Sequence, residues 1–416
     1  MNNIALANRS SEFDVSAVRR QFPVLARMVR GQPLAYLDNG ASSQRPNAVI
    51  AAVDDYERHH HANIHRGVHT LSQEATALYE SARDRLTEFV NARSRNEIIF
   101  VRGTTEAINL VAQSYARPLL KAHDEILITH LEHHANIVPW QMVCEQTGAK
   151  LVVAPIDSRG EVHVDAVLEL MGPRTRLFAC AHVSNALGTV LPVRRLIAAA
   201  KARGIVTLID GAQAVPHMHI DVQELDCDFY AFSGHKMFGP TGVGVLYGRE
   251  QLLERMPPWQ GGGEMILSVT FAKTTYNGLP NKFEAGTPNI SGGVGLGAAV
   301  DFLRGMDRNA AHAHETALLA HATRVLSKIP QLHIVGTASD KASLVSFTVD
   351  NVHPHDLGTI LDEDGIAIRT GHHCAMPVMD FFKLPATARA SFAFYNTFEE
   401  IDRLAAGIER ARKLFA

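Results

Sequence analysis

The 416-residue sequence has no apolar run long enough to span a bilayer, so a helical membrane protein is excluded. It also lacks an excess of either charge. Forty Lys plus Arg against 43 Asp plus Glu give a net charge of −3, and no electrostatic case remains for nucleic acid or an anionic membrane as partner. Cysteine is scarce. Cys144, Cys180, Cys227 and Cys374 lie far apart and form no CxxC pair, which argues against a disulfide framework and fits a reducing cytoplasm. Internal repeats and low-complexity tracts are missing too. Residues 1–11 lack the basic, apolar, small-residue order of a secretory signal and are expected to form a short disordered lead.

What is present describes a soluble globular enzyme, with 46% hydrophobic and 20% charged residues. The length is too great for one ordinary core, so two domains are expected. A short helix started by Asp14 precedes a turn at Gly31-Gln32-Pro33 and a strand over 34–37. Helical periodicity follows over 46–61 and 72–91. Then a rhythm begins. Strands over 98–101, 126–128, 151–153, 177–180 and 205–209 alternate with helices over 105–116, 137–146, 164–170 and 194–203. The fold class is therefore α/β, a mostly parallel sheet flanked by helices on both faces. Two more strands, 229–232 and 244–247, flank a Gly-rich loop. After residue 290 the pattern changes to helices over 297–306 and 311–328, a strand over 344–349, a helix over 356–363, a strand over 366–369 and a last helix over 398–415. This predicts an N-terminal segment 1–34 packing with the small domain, a large domain 35–295, and a smaller α+β domain 296–416.

Five short strings carry chemistry. The strand 229–232 runs into Ser233-Gly234-His235-Lys236. A lysine desolvated at a strand end loses pKa and becomes an amine nucleophile, whereas in a surface turn it does nothing. Asp210 ends another strand, before Gly211-Ala212-Gln213; it can hold a ring nitrogen protonated or serve as a helix N-cap. Gly103-Thr104-Thr105-Glu106 opens a helix, where free N–H groups and hydroxyls favour phosphate. Glu132-His133-His134-Ala135-Asn136 follows a third strand, so an imidazole can stack on a planar cofactor and move protons.

The fifth string is Arg369-Thr370-Gly371-His372-His373-Cys374-Ala375-Met376-Pro377. A cysteine flanked by histidines in a loop is a candidate reactive thiolate, while Cys180, Cys227 and Cys144 read as packing residues. Arg389 and Arg369 are candidates to grip a carboxylate. The 22 histidines, among them the run at 59–61, His65 and His69, raise a zinc site, but no conventional ligand pair supports one and no metal is expected.

Taken together, these strings, with His65-Arg66-Gly67, His182-Val183-Ser184-Asn185, Phe283-Glu284-Ala285-Gly286-Thr287-Pro288 and Arg389-Ala390-Ser391, occur in the order seen in group II cysteine desulfurases. The chain resembles the SufS type from about residue 14 onward. The resemblance implies a fold-type I, pyridoxal-phosphate-dependent enzyme of the class V aminotransferase family, and a homodimer. It implies Lys236 as the lysine that carries the cofactor, Asp210 at the pyridinium nitrogen, Gln213 at the ring hydroxyl and His133 over the ring. Thr104, Thr105, Ser233 and His235 would hold the phosphate, with Thr287 arriving from the partner subunit. Asn185, Arg389, Arg369 and His65 would bind substrate, and Cys374 would take the sulfur as a persulfide. The implied reaction converts L-cysteine to L-alanine and passes sulfur to a SufE-like acceptor for iron–sulfur cluster assembly. Selenocysteine lyase activity, or another lyase of the same family, is the alternative; Cys374 argues against a kynureninase-like lyase or an epimerase, which need no protein thiol. Two stretches depart from the family pattern: Gly40, where alanine is usual, and 274–282.

Overall fold

The computed structural model describes residues 13–415; the lead expected over 1–11 lies outside the described residues. The alternating β-branched strands assemble into one seven-stranded sheet. In chain order these are β1 (Ile98–Val101), β2 (Glu125–Thr129), β3 (Lys150–Ala154), β4 (Thr175–Ala181), β5 (Val206–Asp210), β6 (Phe229–Ser233) and β7 (Gly244–Gly248). Their spatial order is β1-β7-β6-β5-β4-β2-β3. The four pairings from β6 across to β3 are parallel, and β7 runs antiparallel to both β6 and β1. All residues of β2, β6 and β7 are buried, as expected of strands covered on both faces.

A second sheet of four antiparallel strands holds β8 (Leu332–Val335), β9 (Leu344–Val349), β10 (Arg369–Gly371) and β11 (Thr387–Ser391), in the order β8-β9-β11-β10. Here the structure differs from the expected single strand over 366–369. Ile366–Ala367 pairs in parallel with Ala35–Tyr36, whereas Arg369–Gly371 joins β11, so the chain changes partner at Ile368. The early segment is tied to this region: Arg19 donates to Glu400 at 2.6 Å, and the Asp14 side chain caps the helix Val15–Arg19 as expected.

The helix expected over 297–306 begins earlier, spanning Ile290–Arg304 across residue 295. It packs against helices Asn47–Asp55 and Thr70–Phe89. A short hairpin, Ile266–Val269 with Thr274–Tyr276, projects from the large sheet's side of the chain and exposes Phe271 at its tip. Among the described residues, no helix is long and apolar enough to cross a membrane.

Candidate active site

Parallel sheets deliver their loops to the carboxyl ends of the strands, and the chemistry-bearing strings converge there. A cavity of about 190 Å³ is lined from the strands of the seven-stranded sheet and their loops by Thr104, Thr105, His133, Asn185, Asp210, Gln213, Ser233, His235 and Lys236. Arg369, His373, Cys374 and Arg389 reach it from the smaller sheet.

Lys236 ends a short turn of helix directly after β6. Desolvation inside the cavity lowers its pKa to about 8, with Asp210 opposing the shift. The Asp210 carboxyl is itself raised by burial; one of its oxygens accepts from the Ala212 amide at 2.9 Å. No helix follows for Asp210 to N-cap; the Ala212 amide belongs to a turn, and Asp210 lines the cavity while holding that turn. Gln213 donates to the Gly40 carbonyl at 2.7 Å, which locks its amide against the 38–41 segment.

The phosphate-type corner is built by β1 and β6 together. Gly103, at φ 156°, lets the chain turn into the helix Thr104–Val111, and the Thr104 amide and hydroxyl both meet the Ser233 hydroxyl, at 2.9 and 2.8 Å. His235 is kept neutral by burial, its pKa lowered to about 4. His133 is pushed down to about 3 by desolvation, then by Lys236. Its Nδ1 accepts from the Ala135 amide at 3.0 Å, so the ring is a neutral imidazole with its proton on Nε2.

The thiol loop is clamped by the segments that follow β2 and β4. The His134 amide donates to the Cys374 carbonyl at 2.7 Å, and the Asn185 side chain donates to the His373 carbonyl at 2.6 Å. His373 and Cys374 both take left-handed φ values, 54° and 56°, which costs non-glycine residues about 1–3 kcal/mol each and persists only where surroundings impose it. Arg389 is 1% exposed and donates to the Asn185 carbonyl at 2.7 Å and to Asp38 at 3.2 Å. It stands opposite Arg369 across β11 and β10.

Two expected site residues lie outside this cavity of the single chain, Thr287 being the one that the resemblance brings from a partner subunit. His65 is not in this cavity: its two ring nitrogens meet Glu80 at 3.0 Å and Glu264 at 3.1 Å, which raise its pKa, chiefly through Glu80. Thr287 lines a separate recess with Arg102, Glu106 and Trp259. His373, which lines the cavity, and Asp38, which pairs with Arg389, are not singled out by the sequence, although His373 sits inside the Arg369–Pro377 string. Among the described residues no group of three or more His, Cys, Asp and Glu is placed to hold a metal. The 59–61 histidines pair with Asp55, Glu74 and Glu57.

Residues 35–404 match the family model for class-V aminotransferases. The chain belongs to that family. It is 51% identical over 403 residues to a cysteine desulfurase of Cronobacter sakazakii, covering 97% of this chain and 99% of that one. A cysteine desulfurase of Serratia proteamaculans is 52% identical with the same coverage. Among solved structures, the cysteine desulfurase CsdA of Escherichia coli superposes with a TM-score of 0.90 at 42% identity, over 97% of this chain and 100% of that one. The cystine C–S lyase C-DES, bound to its product cysteine persulfide, gives 0.81 at 26% identity over 94% and 99%.

Pyridoxal phosphate is the group this family implies, and the residues present fit it. The cavity offers an enclosed amine, a buried carboxylate, a neutral imidazole and a hydroxyl-rich helix start. Arg389 Nε, Asn185 Oδ1 and His373 Nδ1 are buried without any partner, the signature of a polar site shaped for something else to complete.

Proposed function

We propose that the protein is a pyridoxal-phosphate-dependent cysteine desulfurase of the group II, SufS type. The carrying observation is that the desolvated amine of Lys236, the Asp210 carboxyl and the Cys374 loop share one cavity. The cofactor, held on Lys236, supplies an electron sink for carbanionic charge, and Asp210 keeps that sink effective by holding the ring nitrogen protonated. Gln213 would meet the ring hydroxyl, and Thr104, Thr105, Ser233 and His235 would hold the phosphate. Arg389, with Arg369 and Asn185, fixes the substrate carboxylate.

Lys236, once free as an amine, takes the Cα proton; His133 moves protons above the ring. Cys374 Sγ then attacks the substrate sulfur. The substrate C–S bond breaks and an S–S bond forms. The bonding pair left on the carbon takes a proton, so L-cysteine and enzyme thiol become L-alanine and enzyme persulfide. L-Selenocysteine would follow the same route.

Cys374 is only half-buried, and Met376 beside it is 52% exposed, which supports transfer of the persulfide to a SufE-like acceptor for iron–sulfur assembly. A reducing compartment such as the cytoplasm suits a reactive thiol of this kind. A homodimer would bring Thr287 of one subunit toward the phosphate of the other. The division into an N-terminal segment 1–34, a large domain 35–295 and a small domain 296–416 is part of the same reading. Mass spectrometry after L-cysteine treatment tests it: one added sulfur on the Cys374 peptide with stoichiometric alanine supports a desulfurase. Alanine or pyruvate without a Cys374 persulfide would leave a lyase with an incidental thiol.

A further inference from the structure

Among the described residues, His373 and Trp259 own buried, unpartnered atoms that the proposed mechanism leaves idle, and of the two His373 lines the cavity. It is 4% exposed and lines the cavity next to Cys374. Its Nε2 lies 2.9 Å from the Thr387 hydroxyl, while Nδ1 is buried and bonded to nothing. Its carbonyl is clamped by Asn185, and its φ is left-handed, so the ring is held in place by its own strained backbone. The tautomer follows from the field. The positive charges of Arg389 and Arg369 act on the ring and disfavour a further proton on it, leaving Nδ1 as a lone pair. Nε2–H therefore donates to Thr387, and Nδ1 keeps a buried, unpartnered lone pair on the residue next to Cys374. Desolvation, reinforced by the two arginines, lowers the pKa to about 3, so the acceptor stays an acceptor through the neutral range.

An acceptor beside the attacking thiol needs a donor on the substrate. The substrate carboxylate has none to give. Its sulfur must come within bonding reach of Cys374 Sγ, hence to the side of the cavity where the chain neighbour His373 stands. With a thiol pKa of about 8.5, L-cysteine carries that proton at neutral pH. We infer that His373 is a positioning and specificity residue that accepts a hydrogen bond from the thiol of bound L-cysteine. This rests on the desulfurase reading and extends it to the choice between sulfur and selenium substrates. A selenol is ionised at neutral pH and brings no proton for the lone pair to meet.

Two substitutions separate the two nitrogens. Gln reproduces a ring Nε2 and can keep the Thr387 contact while removing the acceptor at Nδ1; Asn reproduces the Nδ1 position. The experiment titrates the cofactor absorbance of the holoenzyme in a Cys374→Ser background, which blocks turnover. Ligands are L-cysteine and S-methyl-L-cysteine, which lacks the thiol proton. His373→Gln should weaken L-cysteine about three- to ten-fold and leave S-methyl-L-cysteine within about two-fold, with His373→Asn restoring L-cysteine binding. With Cys374 intact, kcat/KM for L-cysteine should fall in His373→Gln while that for L-selenocysteine holds. Equal weakening of both ligands would show a merely structural residue and overturn the inference, as would unchanged L-cysteine binding. Failure of the unsubstituted enzyme to form alanine from L-cysteine would instead overturn the desulfurase reading itself.

Discussion

At the scale of single residues, the chemistry rests on groups whose ordinary ionisation is overridden by burial. Lys236 should react as a neutral amine above about pH 8 rather than above the usual lysine range. Because its pKa is lowered, the reactive form grows as pH rises and saturates early. The rate at which cofactor-stripped protein recaptures pyridoxal phosphate should therefore climb to about pH 8 and level off, and borohydride should then fix the label on the Lys236 peptide. A rate still climbing at pH 10, or a label elsewhere, would contradict this. Asp210→Asn should keep cofactor but lose at least about a hundred-fold in turnover, because a weakly held ring proton makes a poor electron sink. Cys374→Ala should still change the cofactor spectrum on adding L-cysteine yet yield neither persulfide nor useful alanine.

These three residues were legible because strand-end position and neighbouring strings mark them. His373 and Asp38 were not. One looks like a spare histidine and the other like a loop carboxylate until the Arg389 guanidinium and the Thr387 hydroxyl are seen beside them.

Elements show the same limit in another form. The sequence periodicity fixed helices such as Val164–Leu170 and the strand Leu344–Val349 to the residue, yet missed the start of Ile290–Arg304 by seven positions. Gly292, Gly293, Gly295 and Gly297 weaken the helical signal by about 1 kcal/mol each relative to alanine. Packing explains them: a Cβ on Gly293 would lie 2.6 Å from the Tyr79 ring, and one on Gly297 would lie 2.8 Å from Ala82 Cβ. Gly293→Ala should thus destabilise by about 1–3 kcal/mol despite its better helix propensity, measured by denaturant unfolding. Stabilisation would show that the two helices yield freely. The last helix, Phe398–Leu414, is the opposite case. Thr397 and Glu400 form a capping box written openly in the sequence, and Thr397→Ala should cost about 1 kcal/mol.

For the whole molecule, the early segment is the fastener. Phe22 is 1% exposed and packs edge-on or tilted against Phe238, Phe302, Phe394 and Tyr395, joining residues from both sheets' surroundings in one aromatic cluster. Phe22→Ala should lower stability by about 3–5 kcal/mol. It should also loosen L-cysteine binding, since Tyr395 bonds Asn39 and the Gln44 amide beside the 38–41 wall of the cavity. Unfolding and ligand titrations on one preparation would separate the two effects. Equilibrium sedimentation checks the proposed homodimer, with a monomer at micromolar concentration as the contrary result.

The sequence by itself determined the α/β rhythm, the family and the order of the reactive strings, because these depend on periodicity and on side-chain chemistry that a linear chain displays. Only the tertiary structure decided which groups share a solvent-poor cavity. The lowered Lys236 pKa, the partnerless nitrogen of His373 and the placement of His65 between Glu80 and Glu264 depend on desolvation and on long-range neighbours, and Asp38 meets Arg389 across 351 residues of chain. Burial and long-range contact are properties of the packed chain, and no local pattern of residues encodes them.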